Sequence, residues 1–350
     1  MTDSTVAALV ALGLSEDEAR SAVAENRIAL AVAEKALAGE RALSGAEVAE
    51  RSGVPLEVIQ AWEAALGVPP QEHYRESDVE DAKLLGSLIR QLPNSSLDAL
   101  LRPVRADGQA LQRMAMAHLE LIHRTYVQPM REHGGDEVAV ALVLAEAARA
   151  LMPTAAPLVG TAYRRILEHL LSSEIVAQAT LGGGDSTDLA VAFVDVVGYT
   201  SLSARIDPQG LDEVIEAFET RCYTVAGLNE RIQLVKFLGD AAMFVSVDPV
   251  SLADAILDLV EYADHDSPLA GSPMAAGMAF GDTLLRQGDY FGPPVNHAAR
   301  LTDRARAGTL LAAPDLDDVL SPHYELRHLP PIHLRGLGHQ RPLAVRRRHD

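Results

Sequence analysis

The chain has a single cysteine, Cys222, among 350 residues. One thiol excludes an intrachain disulfide framework and a cysteine-based zinc site, and it fits a reducing compartment. Basic residues are also scarce: 30 Lys and Arg stand against 49 Asp and Glu, for a formal net charge of −19. An acidic chain repels phosphate backbones, so no nucleic-acid partner is expected. Long apolar runs are missing too. The longest, Val138 to Met152, is broken by Glu146 and Arg149 and falls short of the ~20 residues that cross a bilayer. The N-terminus, MTDSTVAALV, lacks a charged n-region. No transmembrane segment and a cytoplasmic location are therefore expected.

Apolar material is plentiful. The hydrophobic fraction is 48% and mean hydropathy is +0.06, so disorder is excluded as the general state. The length predicts two domains or three, and each half is able to bury a core.

Composition changes near residue 180. Before it, the text is rich in Ala, Leu, Glu and Arg and reads as helices without a convincing strand. Ser15 with Glu18, and Ser44 with Glu47, are S-x-x-E capping boxes. Pro69-Pro70, Pro93, Pro129 and Pro153 are expected to punctuate the helices. Leu181 to Asp188 (LGGGDSTD) reads as a linker. After it, the order is strand (Leu189–Val194), helix (208–228), hairpin (Leu234–Leu238 and Ala241–Val247), helix after Asp248-Pro249, strand (Ala275–Phe280), helix (Val295–Arg306) and further strands at Leu310–Ala313 and Tyr324–Leu334. This is an α/β sheet domain.

Three segments of that domain carry chemistry. In FVDVVGYT, Phe193 to Thr200, Asp195 ends a buried strand before a glycine turn into a helix. Its carboxylate either supplies hard oxygen to a divalent cation or caps the helix. In VKFLGDA, Val235 to Ala241, Asp240 sits at a hairpin tip. It is either an ordinary Gly-Asp turn residue or a partner of Asp195 in a two-metal site. In GDYFGPPVNHAAR, Gly288 to Arg300, Asn296 and Arg300 share a helix face. An arginine there requires an anion, either a substrate or a carboxylate of its own domain.

Together these segments resemble the class III nucleotidyl cyclases, over about Leu189 to Leu320 and more loosely through the tail. The resemblance implies an α+β chain: an all-α N-terminal regulatory and dimerisation domain (1–178), a linker (179–188) and a ferredoxin-like α/β sandwich catalytic domain (189–350). All six positions of the family pattern are filled. Asp195 and Asp240, with the backbone of Val196, would hold two divalent cations, Mg²⁺ or Mn²⁺. Lys236 and Asp289 would read the base, Asn296 would orient the ribose, and Arg300 would stabilise charge on the α-phosphate. Phe193, Gly198 and Thr200 would belong to the substrate pocket. Arg335, in the tail segment LRGLG that looks like the family's last strand, would meet the triphosphate, with Arg286 a further candidate. Adenine presents an N1 acceptor and an N6 donor, which a lysine and an aspartate match. A site built for that pattern leaves polar groups unpaired with guanine. The implied reaction is therefore ATP to 3′,5′-cyclic AMP and pyrophosphate, at the interface of a two-fold homodimer. Pro293-Pro294, the short connection Gly281 to Asp289 and His297 depart from common members of the family.

In the first half, Leu43 to Pro55 reads as a helix-turn-helix, and 40–92 resembles the MerR-type module. This stretch has ten acidic and five basic residues, too few cations for phosphate contacts, so a packing role is favoured over DNA binding. Gly134 to Val138 (GGDEV) resembles the diguanylate cyclase signature, but it precedes a helix, which makes Asp136 a cap. The helical domain is a candidate receiver of a proton, small-molecule or lipid effector, with His118, His123, His133 and His169 as titratable groups. The alternative function is a non-enzymatic nucleotide-binding regulator with a DNA- or protein-binding N-terminal module.

Overall fold

A computed structural model describes residues 2–38, 41–181, 186–262 and 267–348. The chain divides into two compact units, Met1–Arg164 and Arg165–Asp350.

The first unit opens with α1 (Thr2–Ala11), α2 (Glu16–Ala24) and α3 (Ile28–Ala38), which pack around Leu9, Ala19 and Val32. The expected box at Ser15 and Glu18 starts α2. A second cluster is built from β1 (Leu43–Ser44), α4 (Gly45–Ser52), α5 (Leu56–Leu66), β2 (His73–Tyr74) and α6 (Glu76–Gln91), around Val48, Val54, Ile59, Tyr74 and Val79. The Ser44–Glu47 box starts α4, and Gly53 ends it in the left-handed region at φ 72°. The pairing of β1 with β2 has no signature in the sequence, because two-residue strands are too short to show alternation.

Next come α7 (Leu97–Ile122), a π-helical turn at His123–Val127, α8 (Gln128–Glu132) and α9 (Glu137–Ser172). Asp136 does cap α9, its Oδ1 accepting from the Ala139 N–H at 2.8 Å. Pro153 does not end a helix: it and Pro157 lie inside α9. The arms Glu137–Leu151 and Pro153–Ser172 meet at 47°. A proline removes one N–H and crowds the carbonyl four residues back, so a continuing helix bends there. Among the described residues no single helix is long and apolar enough to cross a membrane, although the two arms of α9 together reach that length and composition.

The second unit adds α10 (Glu174–Leu181), β3 (Thr187–Val196), α11 (Tyr199–Ser203), α12 (Pro208–Gly227), β4 (Ile232–Leu238), β5 (Ala241–Ser246), α13 (Pro249–Val260), β6 (Met274–Arg286), β7 (Asp289–Phe291), α14 (Pro293–Thr302), β8 (Thr309–Ala312), a 3₁₀ turn at Pro314–Leu316, α15 (Asp317–Leu320), β9 (Tyr324–His328), β10 (Ile332–Leu334), β11 (Gly338–Gln340) and β12 (Leu343–Arg347). The main sheet runs β4-β5-β3-β6-β8-β12-β9, with β7 paired to β6. Its first four strands, with α12 and α13, form the antiparallel βαββαβ arrangement of a ferredoxin-like sandwich. Then β8 joins β6 in parallel through α14, and β12 and β9 extend the sheet antiparallel.

Both faces of the sheet are covered. Ala190, Ala192 and Val194 of β3 pack with Phe218 of α12 and Ile256 of α13. Leu189, Val191 and Phe193 pack on the opposite face with Ala298 and Leu301 of α14. That is why β3 reads as a continuous apolar run instead of an alternation.

The expected boundary needs moving. Ile175 of α10 is fully buried in the second unit's core, so that unit begins before residue 178. Of the expected linker 179–188, residues 179–181 are helical, 187–188 belong to β3, and 182–185 lie outside the described residues.

Candidate active site

Antiparallel pairing of β3 with β5 sets Asp195 opposite Ala241, and the Val196 N–H donates to the Asp240 carbonyl at 3.2 Å. Gly239, at φ 67°, allows the turn that delivers Asp240 to this end of the sheet. Burial, then the charge of the neighbouring Asp240, push the Asp195 carboxyl up to about 6. Asp195 is not a helix cap, because Gly198 occupies the N-cap of α11 at φ 80° without a side-chain cap. Two crowded carboxylates are a hard-oxygen donor set, and the charge they hold fits a divalent cation of the Mg²⁺ or Mn²⁺ type. Among the described residues no group of three or more His, Cys, Asp or Glu forms a metal cage. The remaining ligands of an ion here would be backbone, water or phosphate, as Mg²⁺ usually has.

The second pair depends on a backbone irregularity. Leu234 pairs with Phe244 but Lys236 pairs with Met243, so Val235 is an extra residue. A bulge of this kind turns successive side chains to one face. Phe244 belongs to the α12/α13 face, whereas Met243, Val235 and Tyr290 belong to the α14 face. Strict alternation would keep Lys236 on the first face, with Leu234. The bulge brings it to the second, where its ammonium forms an ion pair with the Asp289 carboxylate on Oδ2. The other oxygen, Oδ1, accepts from the Tyr290 N–H at 2.9 Å. Tyr290 is buried, and its hydroxyl donates to Gln233 Oε1 on β4 at 3.0 Å. Burial pushes that phenol up to about 12, so it stays a donor. Val235, Gln233 and Tyr290 were not singled out from the sequence. The only trace of the bulge there is the change of face between Leu234 and Lys236, which shows once the partner strand is known.

The third pair lies on α14. Gly292, at φ 146°, precedes Pro293 and Pro294 in the first turn, where the missing N–H groups are not needed. A Cβ on Gly277 of β6 would stand 2.3 Å from the Thr302 nitrogen and 2.4 Å from the Ala298 carbonyl oxygen. Only glycine permits so close an approach of helix to strand. The Thr302 hydroxyl donates to the Phe193 carbonyl at 3.2 Å. Asn296 and Arg300 both remain exposed. Asn296 Nδ2 reaches the Gly292 carbonyl at 3.5 Å, and Arg300 Nη1 lies 3.3 Å from Asp303 Oδ2. An exposed pair of this kind is weak, so the guanidinium is available to another anion. Beside them, His297 Nε2 is buried without a hydrogen-bond partner.

The other expected positions are more scattered. The Phe193 side chain is a core residue of the α14 face. Thr200 is exposed in α11. Arg286 pairs with Asp289 across the β6–β7 hairpin. The segment LRGLG is not the last strand. It is the turn between β10 and β11, closed by the Leu337 N–H on the Leu334 carbonyl at 3.1 Å, with Gly336 and Gly338 at positive φ. Those backbone angles place Arg335 in an exposed turn, and the final strand is β12.

The chain is thus a helical unit followed by a mixed-sheet α+β sandwich. No protein-family profile matches the chain. An adenylate cyclase of Streptomyces coelicolor is 30% identical over 295 residues, 82% of this chain and 74% of that protein. A Mycobacterium tuberculosis protein named pH-sensitive adenylate cyclase is 28% identical over 365 residues, 97% of this chain and 86% of that protein. The adenylyl cyclase CyaB of P. aeruginosa aligns in its crystal structure over 47% of this chain and 96% of that one, with 19% identity and a TM-score of 0.41. The chain belongs to the family of these actinobacterial adenylate cyclases.

Proposed function

We propose that the protein is an adenylate cyclase, converting ATP to 3′,5′-cyclic AMP and pyrophosphate at sites shared by two copies of the chain. The observation that carries this reading is the Lys236–Asp289 pair, held between β4 and β7. It offers one donor and one acceptor at a fixed spacing. The Lys236 ammonium donates to adenine N1 and the Asp289 carboxylate accepts from the N6 amino group. Guanine would face like with like at both positions, and leaving buried polar groups unpaired is what gives such a site its selectivity.

Asn296 orients the ribose so that its 3′-oxygen lines up with the α-phosphorus. Arg300 presents preorganised positive charge to the α-phosphoryl oxygens, an effect typically worth about 3 kcal/mol of barrier. Divalent cations bound by Asp195 and Asp240 would supply charge neutralisation at the phosphates and a more acidic 3′-hydroxyl. The exposed Arg300 and Asn296 support a site completed by a second copy, each chain giving its aspartates to one site and its helix α14 to the other.

The helical unit supplies regulation in this reading. The name of the mycobacterial relative and the histidines His118, His123, His133 and His169 favour a proton effector. This is tested by comparing pH–rate curves of the full chain and of residues 165–350, a boundary that keeps the buried Ile175. Superimposable curves would remove the regulatory role.

The central test is cyclic nucleotide formation from ATP and from GTP with Mg²⁺ or Mn²⁺, for the native chain, Asp240→Ala and the pair exchange Lys236→Glu/Asp289→Cys. Metal-dependent cyclic AMP that is lost in Asp240→Ala, and a shift of preference toward GTP in the exchanged pair, are expected. Nucleotide binding without turnover in the native chain under both metals would favour the non-enzymatic regulator instead.

A further inference from the structure

We propose that His333 and His339 form a two-imidazole binding site for a borderline divalent transition cation of the zinc type, separate from the Asp195–Asp240 pair. The two residues are direct cross-strand neighbours in the β10–β11 hairpin. Their ring centroids lie 5.4 Å apart at an interplanar angle of 77°. Two imidazole nitrogens about 2.0–2.1 Å from one tetrahedral zinc place their ring centres about 5 Å apart. The separation matches the ring-to-ring distance of two imidazoles on one ion.

The hairpin holds the rings in place from behind. Leu334 is buried in the α14-face core, and Ile332, Leu337 and Leu329 pack against it. Alternation along each strand then turns His333 and His339 outward, and both are exposed. The turn is fixed by the Leu337 N–H on the Leu334 carbonyl at 3.1 Å, and Gln340 Nε2 donates to the Leu337 carbonyl at 2.8 Å. Backbone register between the two histidines is thus set by the fold.

Ligand chemistry separates the two sites. Paired carboxylates suit hard ions such as Mg²⁺ and Mn²⁺, whereas imidazole suits Zn²⁺, Ni²⁺ and Cu²⁺. Two protein ligands leave the remaining positions to water. The turn between the histidines carries Arg335, so a cation bound across the hairpin braces the two strands that hold that side chain.

The test uses the full chain without a histidine tag, in excess Mg²⁺ so that the carboxylate site is supplied with its own ion. Zn²⁺ retention is measured by equilibrium dialysis, and Cu²⁺ is followed by its paramagnetic resonance spectrum. The native chain should retain one more zinc than His333→Ala or His339→Ala and show nitrogen splitting from two imidazoles. His118→Ala, an exposed histidine on α7, should match the native chain. Equal retention in the native chain and both hairpin variants, loss in only one of them, or the same loss in His118→Ala would overturn the proposal.

Discussion

The Tyr290 hydroxyl donates to Gln233 Oε1 across 3.0 Å, tying β7 to β4 beneath the ion pair of Lys236 and Asp289. Each strand carries one member of that pair, so this half-buried bond links the two strands that set their spacing. Tyr290→Phe removes the donor and leaves the Gln233 oxygen unsatisfied, at a cost of about 1–2 kcal/mol. The expected kinetic result is a higher KM for ATP, a smaller change in kcat, and a preference for ATP over GTP reduced about tenfold, or about 1.4 kcal/mol. Steady-state kinetics with both nucleotides will show it. Unchanged selectivity in a destabilised variant would leave the bond a purely structural role.

Gly277 is the contact point between β6 and α14. An added methyl meets the backbone of Thr302 and Ala298, which cannot yield as a flexible side chain would. Gly277→Ala should destabilise the protein by about 1–3 kcal/mol. It should also lower kcat at least about tenfold, because a small displacement of α14 misplaces both Asn296 and Arg300. Gly227→Ala, where a methyl meets nothing within 4 Å, is the comparison and should change neither melting temperature nor rate appreciably.

The crowding of Asp195 with Asp240 predicts an inverted stability effect. Without divalent cations, Asp240→Asn relieves like-charge repulsion and should raise the melting temperature, by about 2–4 °C if the relief is about 1 kcal/mol. Added Mn²⁺ should stabilise the native chain and leave Asp240→Asn unmoved. Thermal unfolding with and without Mn²⁺ checks both halves.

His297 has a pH signature of its own. Burial pushes its imidazole below the ordinary value, against the opposing charge of Asp315. The folded state holds it neutral while the unfolded state takes up a proton near pH 6.5. Its contribution is therefore complete above about pH 6.5 and is lost as pH falls through that value toward the lower folded pKa. His297→Leu should flatten the fall in melting temperature between pH 7 and pH 5. An identical slope in both proteins would show that other groups govern acid stability.

Much of the site was legible because its signals are local. Asp195 follows a run of buried residues, Asp240 sits in a Gly-Asp turn, and Asn296 and Arg300 are one helical turn apart. Each of these is a relation between residues close in sequence. The capping boxes at Ser15 and Ser44, and Asp136 at the start of α9, were readable for the same reason: a cap is a hydrogen bond spanning three residues. Readings that failed did so where a local sign has two outcomes. Pro153 reads as a stop, yet it lies inside α9, which continues past it at an angle. LRGLG is apolar enough for a strand, yet its glycines adopt positive φ and make it a turn.

The sequence by itself determined the α-then-α/β order, which polar residues stand at strand ends and on one helix face, and the exclusion of an intrachain disulfide, since composition, periodicity and capping act over a few residues. Only the tertiary structure decided that Lys236 faces Asp289, that Tyr290 braces them through Gln233, that α14 lies on β6 at Gly277 and that His333 stands beside His339. Those relations join residues distant in the chain. They depend on strand register and on one bulge, and a shift of one residue reverses which face a side chain occupies.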